Sequence, residues 1–219
     1  EIIDHIIFWE DENNNYVSDN LLTLLNEKKD GNKNIFIYLS LGSTDTMLHA
    51  NIIFINVKTK IIERFDPYGN INLDNNQDID LFLKKVFSQL NDFKYIGTEY
   101  MGITSFQTIS QENDIHRKKI GDLGGFCLAW CIWYIELKIK NSNLDSEILV
   151  KKTIKKMIKN KINFTDFIRN YANHLDKYLR KFLTNAKIKK KNIYNTVYSS
   201  TDYNKIKKLI YDHYKNYNK

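Results

Sequence analysis

The stretch HANIIFINVKTKIIERFDPYG, residues 49–69, contains two β-rich runs joined by a short polar turn. The first run begins at His49 and the second ends at Asp66, with Lys58-Thr59 between them. Apolar, β-branched runs with so short a connection predict an antiparallel hairpin. A proline and a glycine follow Asp66 closely, and both residue types favour turns, so we expect the hairpin to end there.

The position of the turn predicts which residues of the hairpin lie opposite each other. A turn centred on Lys58-Thr59 places Asp66 opposite Asn51, two residues after His49. Asp66 and His49 are then diagonal neighbours on one face of the sheet. A carboxylate in this place can hold the far nitrogen of the imidazole and fix its tautomer. A core histidine and a turn aspartate explain each residue alone; their coincidence on one hairpin favours function.

A second candidate segment follows two glycines, Gly124-Gly125, and is apolar on all sides from Phe126 to Ile135. A helix without a polar face is a buried helix, and Cys127 stands at its predicted start. Unpaired N–H groups at a helix N-terminus favour the thiolate, which is the nucleophilic form of cysteine. The alternative for Cys127 is an ordinary buried thiol. Cys131 lies one helical turn further on, a spacing that rarely suits a disulfide and indicates a reducing compartment.

A side-chain amide upstream of this helix is the fourth candidate. Gln107 could donate to a developing oxyanion together with the backbone N–H of Cys127. Gln111 is the competing donor, and both could equally face solvent. His116, in the polar stretch 111–122, is a rival to the hairpin histidine as general base.

The order His, Asp, Gln, Cys resembles that of the ubiquitin-like-protein-specific proteases and the adenovirus maturation protease. The phrases HAN (49–51), ERFDPYG (63–69) and GFCLAW (125–130) look closest to divergent members in large DNA viruses. Three features depart from the pattern. The family usually has an aromatic residue where Ala50 stands and glycine where Leu128 stands. Its Gln also lies about one or two turns before the Cys, whereas Gln107 precedes Cys127 by 127 − 107 = 20 residues, which indicates an inserted loop.

The resemblance implies an α+β fold, with a papain-like-clan core in which an antiparallel sheet packs against a central buried helix. It implies a cysteine peptidase with Cys127 as nucleophile, His49 as base, Asp66 as its orienting carboxylate and Gln107 as oxyanion donor. It implies no metal and no cofactor. The expected substrate is a Gly-Gly-like tail of ubiquitin, of a ubiquitin-like modifier or of a viral polyprotein.

Two other classes of protein remain open. A cysteine-dependent acetyltransferase on the same scaffold would need acetyl-CoA, and the basic C-terminal helices suggest it. A catalytically decayed binding module is suggested by the net charge of +7. A solvated basic surface is favoured over nucleic-acid binding, because the sequence has no zinc-finger, RNA-recognition or helix-turn-helix signature.

Length and patterning predict how the chain is organised. Its 219 residues suit a catalytic core at 1–144 with a helical extension at 145–219 packed on the same domain. No apolar run reaches the length of a membrane span, and the start shows no signal-peptide pattern. The Asn-, Lys- and Ile-rich composition is compatible with a large virus, a parasite or an intracellular bacterium. The resemblance implies a viral protein of the host cytoplasm or nucleus, or of the virion.

Overall fold

The computed structural model describes residues 6–31, 34–42, 49–70, 76–102, 105–112, 126–188 and 199–217. Six strands and seven α-helices are formed by these residues, with a short 3-10 helix at Thr98–Met101. The strands are β1 (Ile6–Trp9), β2 (Asn15–Val17), β3 (Ile35–Leu41), β4 (His49–Asn56), β5 (Ile61–Phe65) and β6 (Lys94–Ile96). The helices are α1 (Leu21–Lys28), α2 (Asn76–Phe87), α3 (Phe106–Glu112), α4 (Cys127–Lys140), α5 (Ser146–Lys159), α6 (Phe164–Asn185) and α7 (Ser200–Tyr217).

The predicted hairpin is formed by β4 and β5 at the centre of a six-stranded sheet with the order β2-β1-β3-β4-β5-β6. Ile52 pairs with Phe65 and Asn56 pairs with Ile61. This is the register that the Lys58-Thr59 turn predicts. The mixed α/β character of the chain is therefore confirmed.

The sheet itself is mixed, so the expectation of an antiparallel sheet is wrong at its flanks. β3, β4 and β5 pair antiparallel, but β1 pairs parallel with β3, and β5 pairs parallel with β6. Parallel neighbours need a crossover connection. Here α1 lies in the connection from β1 to β3, and α2 lies in the connection from β5 to β6.

Successive side chains of a strand point to opposite faces of a sheet, and different helices cover the two faces here. On one face, α1 and α2 pack against the sheet in a single core that includes Leu25, Ile53, Ile62 and Leu83. On the other face, α4 packs along β4 and β5. The ring of Phe65 stacks on Tyr134 of α4 with centroids 3.8 Å apart.

Both ends of α4 are fixed by buried contacts. Near its start, Trp130 is fully buried and its ring contacts four others. These belong to Phe106, Trp133, Phe164 and Phe167. Near its end, Lys138 donates to the Ser146 hydroxyl at 2.7 Å, and Ser146 donates to Glu63 of β5 at 2.6 Å. The helix that begins with Cys127 is thus held by neighbouring helices near its start and by the sheet near its end.

The described part of the extension predicted at 145–219 is mostly helical. It contains α5 (Ser146–Lys159), α6 (Phe164–Asn185) and α7 (Ser200–Tyr217). The chain divides into two compact units, one ending at Tyr171 and the other beginning at Ala172. Helix α5 and the start of α6 therefore belong to the same unit as the sheet. The functional division between residues 144 and 145 stays a prediction.

Helix α5 begins at a typical N-cap, because the side chain of Asp145 accepts hydrogen bonds from the N–H groups of Glu147 and Ile148. In the second unit, α6 and α7 share a small apolar cluster. Its members are Leu183, Ala186, Ile188, Ile206 and Leu209. Across the described residues, no helix combines the length and the apolar character that a membrane span requires.

Candidate active site

Cys127 is the first residue of α4, and the residue is 7% exposed. Its thiol forms a hydrogen bond with His49 and accepts hydrogen bonds from the backbone N–H groups of Ala50 and Leu128. Burial alone raises the pKa of this thiol, but His49 and the two N–H groups outweigh burial and lower the pKa below its ordinary value. Because the thiolate is the reactive form, this environment activates Cys127 as a nucleophile.

The imidazole of His49 stands between the thiol and a carboxylate. His49 opens β4, and its Nε2 lies 2.8 Å from Oδ1 of Asp66. Because Nε2 forms the hydrogen bond with Asp66, the hydrogen bond with Cys127 is left to Nδ1. Burial lowers the pKa of His49, but the charge and hydrogen bond of Asp66, with those of Cys127, raise it to about 10. The contacts with Asp66 and Cys127 therefore favour the imidazolium form of His49.

Asp66 is buried directly after β5 and all its contacts stabilise a carboxylate. Oδ1 accepts from His49 and, at 2.8 Å, from the backbone N–H of Tyr68, while Oδ2 accepts from Asn51 at 3.1 Å. Burial raises the pKa of Asp66, but His49 and Arg64 outweigh it and leave the pKa lowered. These contacts therefore favour the ionised form of Asp66.

The two candidate oxyanion donors differ in their surroundings. Gln107, in the first turn of α3, is 2% exposed, and neither atom of its amide has a hydrogen-bond partner among the described residues. The amide of Gln111 donates to the Tyr68 hydroxyl at 2.6 Å. A buried amide without a partner costs free energy and is free to bind a ligand. Gln107 is therefore the better candidate.

The structure thus brings Cys127, His49 and Asp66 into one hydrogen-bonded row. The rival base His116 lies outside the described residues. Cys131 is a free thiol, fully buried one turn behind Cys127, and its Sγ donates to the Ala50 carbonyl at 3.3 Å. Within the described ranges, no three His, Cys, Asp or Glu side chains are grouped as metal ligands.

Several contacts of this row were not anticipated from the sequence. They come from the amide of Asn51, the guanidinium of Arg64 and the backbone N–H groups of Ala50 and Tyr68. The polar residues did leave a signal. Asn51 and Arg64 occupy positions of the hairpin that share a face with apolar core residues, and a buried polar residue needs a specific partner.

We expect Cys127 to react with iodoacetamide at a pH well below that of an ordinary thiol, whose pKa is about 8.5. In Asp66→Asn, the charge that raises the pKa of His49 is lost, so the imidazolium no longer stabilises the thiolate. The alkylation profile should therefore move to higher pH. The measurement is the second-order alkylation rate against pH, with the modified cysteine identified by mass spectrometry.

The matched control is Asp30→Asn, which removes an exposed carboxylate that pairs only with Lys60 at 3.5 Å among the ion pairs of the described residues. Its profile should coincide with that of the unmodified protein. Superimposed profiles for Asp66→Asn and the unmodified protein would contradict a thiolate–imidazolium pair.

Comparison with known proteins yields one relevant similarity. No protein-family profile matches the chain, and no solved structure matches it. The chain is 30% identical over 168 residues to the "Putative ankyrin repeat protein L371" of Acanthamoeba polyphaga mimivirus. The match takes in 69% of this chain and 21% of that protein. The chain thus spans about a fifth of the length of this viral relative.

Proposed function

We propose that this chain is a cysteine peptidase or isopeptidase. The observation that supports the proposal is the row formed by Cys127, His49 and Asp66, with the thiol at a helix N-terminus. Nucleophile, base and orienting carboxylate in hydrogen-bond contact are the signature of covalent acyl transfer. An ordinary buried cysteine has no need of a charged imidazole or of two backbone N–H groups.

In the proposed reaction, the Cys127 thiolate attacks the carbonyl carbon of an amide and a C–S bond forms. The carbonyl oxygen takes the negative charge, which the Gln107 amide and the Cys127 N–H would stabilise. The imidazolium of His49 gives its proton to the leaving nitrogen as the C–N bond breaks. Water, deprotonated by His49, then attacks the thioester carbon; the C–S bond breaks, the acid leaves, and the thiolate and the imidazolium are restored.

The burial of the nucleophile supports a particular class of substrate. A nucleophilic residue that is only 7% exposed favours an extended chain with no side chain next to the scissile carbonyl. Glycine meets this condition because it has no Cβ. This agrees with the Gly-Gly-like tail implied by the resemblance, on ubiquitin, a ubiquitin-like modifier or a viral polyprotein.

The viral relative suggests how such a peptidase could be directed to its substrate. Ankyrin repeats are helix pairs that stack into arrays, whereas the described residues of this chain are built around a six-stranded sheet. We therefore infer that the similarity lies outside the repeats of that protein. A repeat array presents an extended binding surface, so an array joined to this domain would select the protein to be cleaved.

The test is labelling with ubiquitin and ubiquitin-like proteins that carry a C-terminal electrophile. We expect one adduct per chain, on Cys127, and cleavage of the corresponding amide-linked substrates. Incubation with acetyl-CoA in parallel separates the acetyltransferase alternative, which would leave acetyl on Cys127. No adduct and no cleavage across the panel, in protein whose Cys127 reacts with iodoacetamide, would reject the proposal.

A further inference from the structure

The carboxylate that holds His49 is itself held by a second polar residue. Oδ2 of Asp66 accepts a hydrogen bond from Nδ2 of Asn51 at 3.1 Å. Asn51 lies opposite Asp66 in the hairpin, and both side chains are buried. With one oxygen on His49 and the other on Asn51, the plane of the carboxylate is fixed. Its rotation would break both bonds inside a region that water does not reach.

An asparagine amide can hold a carboxylate only if its NH₂ group faces it, and Arg64 enforces that orientation. Nη1 of Arg64 donates to Oδ1 of Asn51 at 3.2 Å. A guanidinium can only donate and an ionised carboxylate can only accept. The Asn51 amide therefore has its oxygen on Arg64 and its NH₂ group on Asp66. A flipped amide would face each neighbour with the wrong group.

Arg64 is in turn fixed by helix α2. Its Nε and Nη2 donate to the two oxygens of Asp80 at 3.0 and 3.2 Å, a bidentate pair that sets the plane of the guanidinium. Nη2 also donates to Asn76 at 3.1 Å, and the Tyr95 hydroxyl donates to Asp80 at 2.6 Å. The guanidinium is fully buried. A fully buried arginine with this many side-chain partners has one orientation.

We propose that Asn51 and Arg64 are positioning residues, which hold Asp66 in the plane that His49 requires and so connect helix α2 to the nucleophile. This inference rests on the proposed function for its catalytic consequence. Its geometric part does not, because the reactivity of Cys127 can be measured without a substrate. The titratable and charged groups packed around the row of Cys127, His49 and Asp66 include those of Tyr38, Arg64, Tyr68, Asp80, Tyr95 and Cys131.

The first variant is Asn51→Asp, which keeps the size of the side chain and replaces the NH₂ group with an oxygen. Two carboxylates about 3 Å apart do not both ionise. The two carboxylates therefore share one proton, and Asp66 no longer presents its full charge to the imidazolium. We expect alkylation of Cys127 at pH 6 to slow about tenfold or more, as for a shift of at least about one pKa unit.

The second variant is Arg64→Lys, which keeps the charge and removes the planar fork. If Arg64 acts only through its charge, kcat and the alkylation profile stay unchanged. If it positions the Asn51 amide, kcat falls about tenfold while KM is retained, as for an interaction that matters in the transition state. The matched control is Asn56→Asp at the other end of β4, where the new carboxylate can still accept from the N–H of Thr59.

Cys131 reports in the same experiment whether each variant is folded, because its thiol is fully buried. A shifted Cys127 profile with Cys131 still protected supports the proposal. An unshifted profile for both variants, with Cys131 protected, overturns it. If Cys131 becomes reactive in Asn51→Asp, that variant is not correctly folded, and the alkylation profile of Arg64→Lys then tests the proposal. A shifted profile in a protein that cleaves no substrate would reject the peptidase and leave the positioning role intact.

Discussion

Replacement of Cys127 with serine is expected to lower kcat/KM for amide hydrolysis about 10⁴-fold or more. Serine has the shape of cysteine, so packing at the start of α4 is preserved and only the nucleophile changes. The surroundings of Cys127 stabilise a thiolate through His49 and two N–H groups. A hydroxyl has a far higher pKa, and the same contacts do not ionise it at neutral pH.

Cys131→Ser is the matched control, since it makes the same substitution one turn along the same helix. The serine hydroxyl can still donate to the Ala50 carbonyl, as the Cys131 thiol does. We expect this variant to keep kcat/KM within a few-fold of the unmodified protein. The measurement is hydrolysis of whichever substrate the electrophile panel identifies. Equal losses in the two variants would indicate that α4 is sensitive to any change and would contradict the assignment of Cys127.

Replacement of Trp130 with alanine is expected to cost about 3–5 kcal/mol of unfolding free energy. The indole is fully buried among four other aromatic rings. Its removal leaves a cavity where α3, α4 and the start of α6 meet. The N–H of the indole has no partner among the described residues. The decrease in unfolding free energy therefore comes from lost packing, and Trp130→Phe should retain part of that free energy.

The comparison for this prediction is Trp133→Ala, which removes a half-buried indole from the same cluster. The decrease in unfolding free energy for Trp133→Ala should be clearly smaller, because part of that ring already contacts water. Urea unfolding followed by circular dichroism gives both values. A loss for Trp130→Ala no greater than that for Trp133→Ala would show that the buried cluster is not what holds α4 in place.

The sequence predicts the central hairpin well because its turn is short and both of its strands are apolar, β-branched runs. Those two properties leave one register, and the register puts Asp66 beside His49. The buried helix is similarly predictable, since an apolar run without a polar face has to lie inside. The row of Cys127, His49 and Asp66 thus follows from two local patterns and one long-range packing event.

The flanks of the sheet and the partners of Asp66 could not be predicted in this way. β1 and β2 have four and three residues, too few for a period to be recognised. Their pairing depends on tertiary contacts that no local window contains. The bond between Arg64 and Asp80 likewise joins a strand to a helix, and many acidic residues of the sequence are equally plausible partners for Arg64.

The two halves of the row reach the growing polypeptide at different times during synthesis. His49 and Asp66 belong to a hairpin that can close locally, whereas Cys127 emerges much later, on a helix that must dock from a distance. Until that docking occurs, the sulfur lacks its imidazolium and ionises as an ordinary thiol does. We therefore expect Cys127 to be less reactive in a ribosome-bound or partly unfolded chain than in the folded one, because the packing of α4 on the sheet is what brings the thiol to its imidazole.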